Sequence, residues 1–339
     1  MRAIQSGRAI GLAAVLGACV LLAGAAHATS DTERAGSILI FTKVVNDGER
    51  DTLIQITNTG NMVNRARCFY LNGDSCAVTD FEIVLTRQQP THWRAGEGRS
   101  VNLLDGFGSD GAGLDPGRLP PVAEGFAGAL ICAEVNADGD PVPMNKIKGE
   151  ATLLDLSESI TKNTSEYNAI AFPGIVRDMD SNLELDGDTL PADQREYAAC
   201  SDRHRVNFYS MPDQIDPVLG ANSSVVANLT VLPCNLDLTR RSPQDIGLFF
   251  SGWDEFETVF STGINRRGCW LSVNLNELGF GGTSPFATVD VTATQGGPVM
   301  IVQETFHTDL TNGATGSAAN NVHQTGEDDD AVIKMLVIP

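Results

Sequence analysis

Alternation of apolar and polar residues with a period of two constrains this chain most. Phe81, Ile83 and Leu85 alternate with Glu82, Val84 and Thr86. Val225, Ala227, Leu229 and Val231 alternate with Ser224, Val226, Asn228 and Thr230, and Ala287, Val289, Val291 and Ala293 with Thr288, Asp290, Thr292 and Thr294. Successive side chains of a strand point to opposite faces, so each run predicts a half-buried strand. Further strands are expected at 38–45, 52–57, 129–135, 146–154, 206–209, 247–251, 269–273, 298–305 and 332–338. Gly, Pro, Asn and Asp clusters separate them: 105–121 and the acidic 178–193 read as loops, and the polar, Gly-rich 311–330 as a mobile excursion. Many short strands at close spacing predict an all-β chain of one or two antiparallel β-sandwiches, immunoglobulin-like or jelly-roll-like. Two sandwiches, over 36–175 and 195–339 with an acidic linker at 176–194, fit the length.

The first residues predict the compartment. Arg2 and Arg8 are the only charges in the first 28 residues, an apolar run follows from Ala9 to Ala26, and Ala26-His27-Ala28 supplies a small-x-small end. This is a secretory signal layout, with cleavage expected after Ala28. Two readings compete. A membrane anchor needs a run of about 20 apolar residues, longer and less Gly-interrupted than this one. A lipoprotein signal would use Leu16-Gly17-Ala18-Cys19, but the apolar run continues past that cysteine. The expected location is periplasmic or extracellular, with lipid anchoring at Cys19 as the alternative and no transmembrane segment after cleavage.

Formal net charge is −20, and loss of the two leader arginines would make it −22. Such a chain repels phosphate backbones, so no nucleic-acid partner is expected. Six of the seven cysteines remain after the leader: Cys68, Cys76, Cys132, Cys200, Cys234 and Cys269. An even count in an exported chain predicts disulfides, and no C-x-x-C pairs suggest zinc. Three fall on each side of the proposed divide, so complete pairing requires a bond across it. One pair can be argued locally. A hairpin with the three-residue loop Leu71-Asn72-Gly73, Gly73 left-handed, would set Cys68 opposite Cys76. A two-residue Asn-Gly turn would oppose Cys68 to Ala77 instead.

Several stretches also carry a resemblance: Asp51-Thr52-Leu53-Ile54-Gln55-Ile56-Thr57-Asn58-Thr59-Gly60-Asn61, Arg67 through Gly73, Leu85 through Trp93, Glu196-Tyr197-Ala198-Ala199-Cys200, Leu229 through Cys234 and Asp254 through Ser261. Together they resemble a group of exported hypothetical proteins of environmental bacteria. The likeness spans most of the mature chain; it implies bacterial export and carries over no activity and no site residues. Thr57-Asn58-Thr59-Gly60 is also similar to immunoglobulin-like modules of bacterial surface proteins, which bears on fold alone.

No G-x-S-x-G elbow is present, and nothing in the sequence joins His92, His204, His307 or His323 to a serine. On a strand Thr305, His307 and Asp309 would share a face, which could hold a metal or support acid–base work, against a competing reading as a solvated strand end. Asp178, Asp180, Asn182 and Glu184 place oxygen ligands at alternate positions and form the candidate calcium site. An EF-hand loop would need glycine and glutamate where Leu183 and Thr189 stand, so the site is not of that type, and a solvated acidic loop competes with it. Asp105, Asp110 and Asp115, and Asp138 with Asp140, are lesser oxygen clusters. Trp93, between His92 and Arg94, is the tryptophan placed to stack on a sugar, against a competing role in packing; Trp270, beside Cys269, reads as core. Three N-x-S/T sequences, at Asn163, Asn222 and Asn228, match a glycosylation acceptor by chance in a bacterial chain. These features predict a non-enzymatic structural or adhesive protein, with other envelope proteins or surface glycans as partners. A carbohydrate- or calcium-binding module and a secreted hydrolase are the alternatives.

Overall fold

The computed structural model describes residues 30, 32–99, 118–157, 163–176, 183, 185, 196–209, 215–216, 220–234, 242–279 and 286–324. Among them the chain is nearly all β, in antiparallel sheets with three disulfides. No helix among the described residues is long and apolar enough to cross a membrane.

The first set of strands is β1 (Ile38–Asn46), β2 (Arg50–Asn58), β3 (Asn64–Asn72), β4 (Val78–Leu85), β5 (Pro90–Arg94), β6 (Phe126–Val135), β7 (Ile147–Asp155), β8 (Thr164–Asn168) and β9 (Ile170–Phe172). They form one sheet in the order β4-β3-β6-β1-β2-β7-β8, with β9 on β1 and β5 on β2. The sheet folds back on itself at the β1–β2 hairpin and encloses a core. Leu39, Phe41, Tyr70, Ile83 and Leu130 fill that core from one layer, and Ile54, Ile56, Trp93, Ala151 and Leu153 from the other.

The second set is β10 (Arg203–Tyr209), β11 (Ile215–Asp216), β12 (Gly220–Pro233), β13 (Gln244–Asp254), β14 (Val259–Gly268), β15 (Leu271–Asn274), β16 (Phe286–Gln295), β17 (Val299–Asp309), β18 (Thr315–Asn321) and β19 (His323–Gln324). One layer runs β14-β13-β16-β10-β19 and the other β11-β12-β17-β18, with β15 on β12. Val206, Leu229, Val231, Phe250, Val289 and Ile301 pack between them.

β1 is buried along nearly its whole length, not on one face. Its second face, with those of β3, β6 and β9, carries Ile38, Ile40, Phe69, Leu71, Ile131 and Phe172, and this face is covered too. Leu183, Leu185, Tyr197 and Ala198 lie on it, with Leu232, Cys234 and Met300 of the second sandwich. Continuous apolar runs suit strands packed on both faces. The segment expected as a solvated acidic linker therefore contributes Leu183 and Leu185 to a core.

Three expectations are corrected. Cys68 does not pair with Cys76: the disulfides are Cys68–Cys132, Cys76–Cys269 and Cys200–Cys234. β3 continues through Asn72, so Cys68 faces Phe81 across β4 and Cys132 across β6, at a Cα separation of 4.0 Å. The left-handed residue of the turn is Cys76 (φ 57°), not Gly73. Asn72 organises that turn by accepting hydrogen bonds from the amides of Asp74 and Ser75, at 3.1 and 2.9 Å. Gly73 is needed for closeness instead, because a Cβ there would lie 2.7 Å from Trp270 Cε3 and 2.8 Å from the Ala127 carbonyl oxygen. Finally, 311–330 is not simply an excursion: β18 and β19 form within it, β18 pairing with β17. The strand expected at 332–338 lies outside the described residues.

Candidate functional site: the seam between the sandwiches

The most chemically loaded place among the described residues is where the second sandwich meets the end of the first. It begins with a β-bulge. The β1–β6 register shifts between Phe41 and Val44, which breaks the ladder at Thr42 and Lys43. The groups so released are used across the fold. The Thr42 carbonyl accepts from Trp270 Nε1 at 2.9 Å. The Lys43 amide donates to Tyr167 Oη at 3.0 Å, and that hydroxyl donates to the Lys43 carbonyl. The Lys43 side chain turns to β17 and pairs with Glu304. Both partners are sealed from solvent, their side chains 7% and 2% exposed. Burial pushes the Lys43 ammonium below the ordinary lysine range, opposed by the pull of Glu304.

The β1–β2 hairpin supplies the second cation. Gly48 takes a left-handed φ of 90°, and Asp47 Oδ1 accepts from the amides of Glu49 and Arg50 at 3.2 and 2.7 Å. The turn holds the Arg50 guanidinium 2.9 Å from Asp47 and 3.6 Å from Glu304, 5.9 Å from the centre of the Phe306 ring. Next to this network opens a cleft of about 270 Å³. Its walls come from in and beside the ends of β2, β7 and β8 (Glu49, Arg50, Leu153, Asp155, Ser157, Asn163, Ser165) and from β17 and β18 (Glu304, Phe306, Thr315, Ser317). Asn163 Nδ2 donates to Ser317 Oγ at 2.6 Å, and Asn321 Nδ2 to the Asn168 carbonyl at 2.6 Å, so β8 and β18 are stitched edge to edge.

Lys43 and Glu304 escape sequence reasoning because no motif contains them, yet a signal was present. Each is a lone charge inside an apolar strand, 38–45 and 299–306, and a charge that must be buried needs a partner of opposite sign. Glu134 is a third lone charge in an apolar strand, met by neutral donors in place of an opposite charge. Its carboxylate accepts from Asn64 Nδ2 (2.6 Å), the Lys146 amide (2.9 Å) and Ser37 Oγ (3.0 Å), while burial raises its pKa above the ordinary carboxylate range.

Those candidate catalytic, metal-binding and stacking residues from the sequence that the structure describes do not line the cleft. Trp93 is only 3% exposed, donates from Nε1 to Tyr70 Oη at 2.7 Å and meets Phe81 edge-on, which is the packing role. Burial raises the Tyr70 phenol above its ordinary range. Asp178, Asp180, Asn182 and Glu184 lie outside the described residues, as do Asp105, Asp110 and Asp115. Asp138 and Asp140 sit in a turn whose amides donate to Asn136 Oδ1. No group of three metal-ligating side chains able to hold an ion occurs among the described residues. His204 is fully buried with Nε2 2.8 Å from the Val299 carbonyl. His307 meets the Tyr209 ring edge-on at 5.6 Å, His92 lies on the exposed face of β5, and His323 is in β19. A separate feature is the outer face of β13 and β16, where Phe249, Trp253 and Phe286 are each about two-fifths exposed. Arg205 crosses this face, 5.4 Å from the centre of Trp253 and bound to Asp290 through two hydrogen bonds of 2.7 and 3.0 Å.

No family model and no curated protein matches the chain. Solved structures similar to it include Thermotoga maritima 1070, 13% identical, over 40% of this chain and 95% of that one with a TM-score of 0.27. The PBSX exported protein XepA is 8% identical, over 83% of this chain and 85% of that one, with a TM-score of 0.20. At such scores neither likeness bears on function, and what the chain does must be argued from the seam itself.

Proposed function

We propose that this is an exported, non-enzymatic protein of the bacterial cell envelope or extracellular space, freed of its leader after Ala28, with a structural or adhesive role. In this reading two immunoglobulin-like sandwiches act as a single rigid piece. The observation that carries it is the seam. The Cys76–Cys269 bond crosses from one sandwich to the other, the Lys43–Glu304 pair joins β1 to β17 and is buried, and Trp270 is hydrogen-bonded into the β1 bulge. Independent domains are joined by flexible linkers and small polar interfaces, and relative motion is their usual behaviour. A cross-link, an ion pair and a continuous core at one junction suppress that motion, as load-bearing or surface-presenting proteins require. Disulfides persist in oxidising compartments, which favours a place outside the cytoplasm. The exposed Phe249, Trp253 and Phe286 supply a contact face.

The test is fractionation of the native protein with intact mass and thiol titration, joined to a deletion strain. Mature protein starting at Thr29, without free thiols, in the periplasmic or extracellular fraction, and a strain altered in adhesion or envelope integrity, are the expected results. Recovery of the chain with residues 1–28 and all seven thiols titratable would overturn the location. An unchanged strain across adhesion, matrix and envelope assays would overturn the role.

A further inference from the structure

We infer that residues 331–339 of one copy of this chain add as a strand to the outer edge of β14 in the next copy, joining copies head to tail. The inference goes beyond the structural reading, which needs no assembly. β14 is the last strand of its sheet, and among the described residues it pairs with β13 alone. An edge strand turns every second amide and carbonyl outward, a template for one more strand. Edges are usually guarded by charges or proline, as β4 is by Asp80 and Glu82, yet Val259 through Asn265 include neither. Both faces beside this edge are apolar. Phe260 and Ile264 face the second core and are only half-buried. On the outer face Val259 is 79% exposed, next to Trp253.

Complementarity selects the occupant. Residues 331–339 read Ala-Val-Ile-Lys-Met-Leu-Val-Ile-Pro and follow Glu327-Asp328-Asp329-Asp330. Exposed Arg266 and Arg267 lie at the end of β14, and exposed Glu255 and Glu257 precede its start. An antiparallel added strand brings the acidic run to the two arginines, whereas a parallel one would bring it to the two glutamates. With Asp330 opposite Arg267, Ile333, Met335 and Val337 fall opposite Ile264, Thr262 and Phe260, the core side of the edge. Lys334 then falls on the outer side opposite Gly263, and Ile338 opposite Val259. The segment cannot reach β14 of its own chain in this register. Gln324, in β19, lies at the far edge of the same sheet, in one row with His204, Val291, Phe250 and Thr262. From there the place of Ala331 is about 24 Å across, five strand spacings, and about 13 Å along, or ~27 Å in all. The seven residues 325–331 span at most about 25 Å. The donor leaves one edge and the acceptor is the opposite edge, which is a heterologous contact that joins copies in a row.

The experiment follows the oxidised mature protein over a range of concentrations at low salt, by analytical ultracentrifugation and negative-stain electron microscopy. Oligomers that lengthen with concentration are expected. Deleting 331–339 should leave a monomer that binds a synthetic peptide of residues 326–339. Arg266→Glu/Arg267→Glu should weaken both assembly and peptide binding about tenfold. Both arginines are exposed, so this variant should fold as the parent does. Adding Asp328→Lys/Asp329→Lys/Asp330→Lys to it should restore assembly. A full chain that stays monomeric at every concentration, or oligomers indifferent to the charge reversal, would overturn the inference. So would oligomers that survive the deletion, which would point to β14 pairing with β14. Adhesion or envelope integrity lost in the strain without the protein, while the purified protein stays monomeric, would sink the assembly and keep the structural role. Assembly with an unchanged strain would do the reverse.

Discussion

Removing the bond between the sandwiches, as Cys76→Ala/Cys269→Ala, tests whether they unfold as one. The two cysteines are 193 residues apart in sequence. The other disulfides shorten that span. The covalent route runs from Cys76 back to Cys68, over to Cys132, on to Cys200, over to Cys234 and on to Cys269, a closed loop of about 111 residues. Chain entropy for a loop of that size gives about 4.8 kcal/mol of stabilisation, against about 5.3 for an uninterrupted loop of the full span. The variant is therefore expected to lose about 4–5 kcal/mol. The Lys43–Glu304 pair, the Trp270 hydrogen bond and the shared core remain, so the loss should appear as an earlier midpoint of one cooperative transition. Guanidinium unfolding of the oxidised protein, followed by far-UV circular dichroism and by tryptophan fluorescence, reads both quantities. Trp93 reports the first core and Trp270 the seam. A loss below about 1 kcal/mol would refute the loop argument. Separation of the two probes into distinct transitions would refute the claim that the seam couples the sandwiches.

Glu304→Leu strands the Lys43 ammonium in the seam and should cost about 3–5 kcal/mol in urea unfolding, whereas Lys43→Met/Glu304→Leu should return to near the parent value; equal losses in both would sink this. Because burial lowers the folded-state pKa of Lys43, the unfolded chain binds the proton more tightly, so stability of Glu304→Leu should rise with pH toward the unfolded lysine value of about 10.4. A flat profile between about pH 7 and 10 would contradict it. Trp93→Phe leaves the buried Tyr70 hydroxyl without its donor and should cost about 1–3 kcal/mol in urea unfolding; an unchanged midpoint would contradict it. Gly73→Ala forces a methyl group against Trp270 and the Ala127 carbonyl and should cost about 1–3 kcal/mol, read as a lowered melting temperature; an unchanged one would mean the turn shifts freely.

Strands with one apolar face were legible. Ile83 and Leu85 in β4, Val225 through Val231 in β12 and Ala287 through Val291 in β16 bury the face that alternation assigns them. Less legible were strands whose residues are small or polar. β18 reads Thr-Gly-Ser-Ala-Ala-Asn-Asn and its alternation carries no hydrophobic contrast, because it forms an edge stitched to β8 by asparagine amides. β14 is likewise an exposed edge, held by its ladder to β13. The hairpin disulfide failed for a related reason. Turn chemistry near Asn72-Gly73 suggested a tight loop, while the long-range approach of Trp270 and β6 decided where the turn sits and which sulfur each cysteine meets. Pairings set by tertiary neighbours have no local signature, and that is why Cys132, in an apolar run 64 residues away, could not be read as the partner of Cys68.

The bulge in β1 links these observations. A regular ladder at Thr42 and Lys43 would engage their backbone groups with β6 and keep the strict alternation of faces. The shift frees a carbonyl for Trp270, offers both Lys43 backbone groups to Tyr167, and turns a lysine toward β17. Each is a contact that only the docked second sandwich, or the strand beside it, can satisfy. An isolated first sandwich would thus expose an unpaired Thr42 carbonyl and an apolar face bearing Ile38, Ile40 and Phe172. The two sandwiches are in this sense obligate partners. The cleft exists only because they meet: both the first and the second sandwich supply residues to its wall.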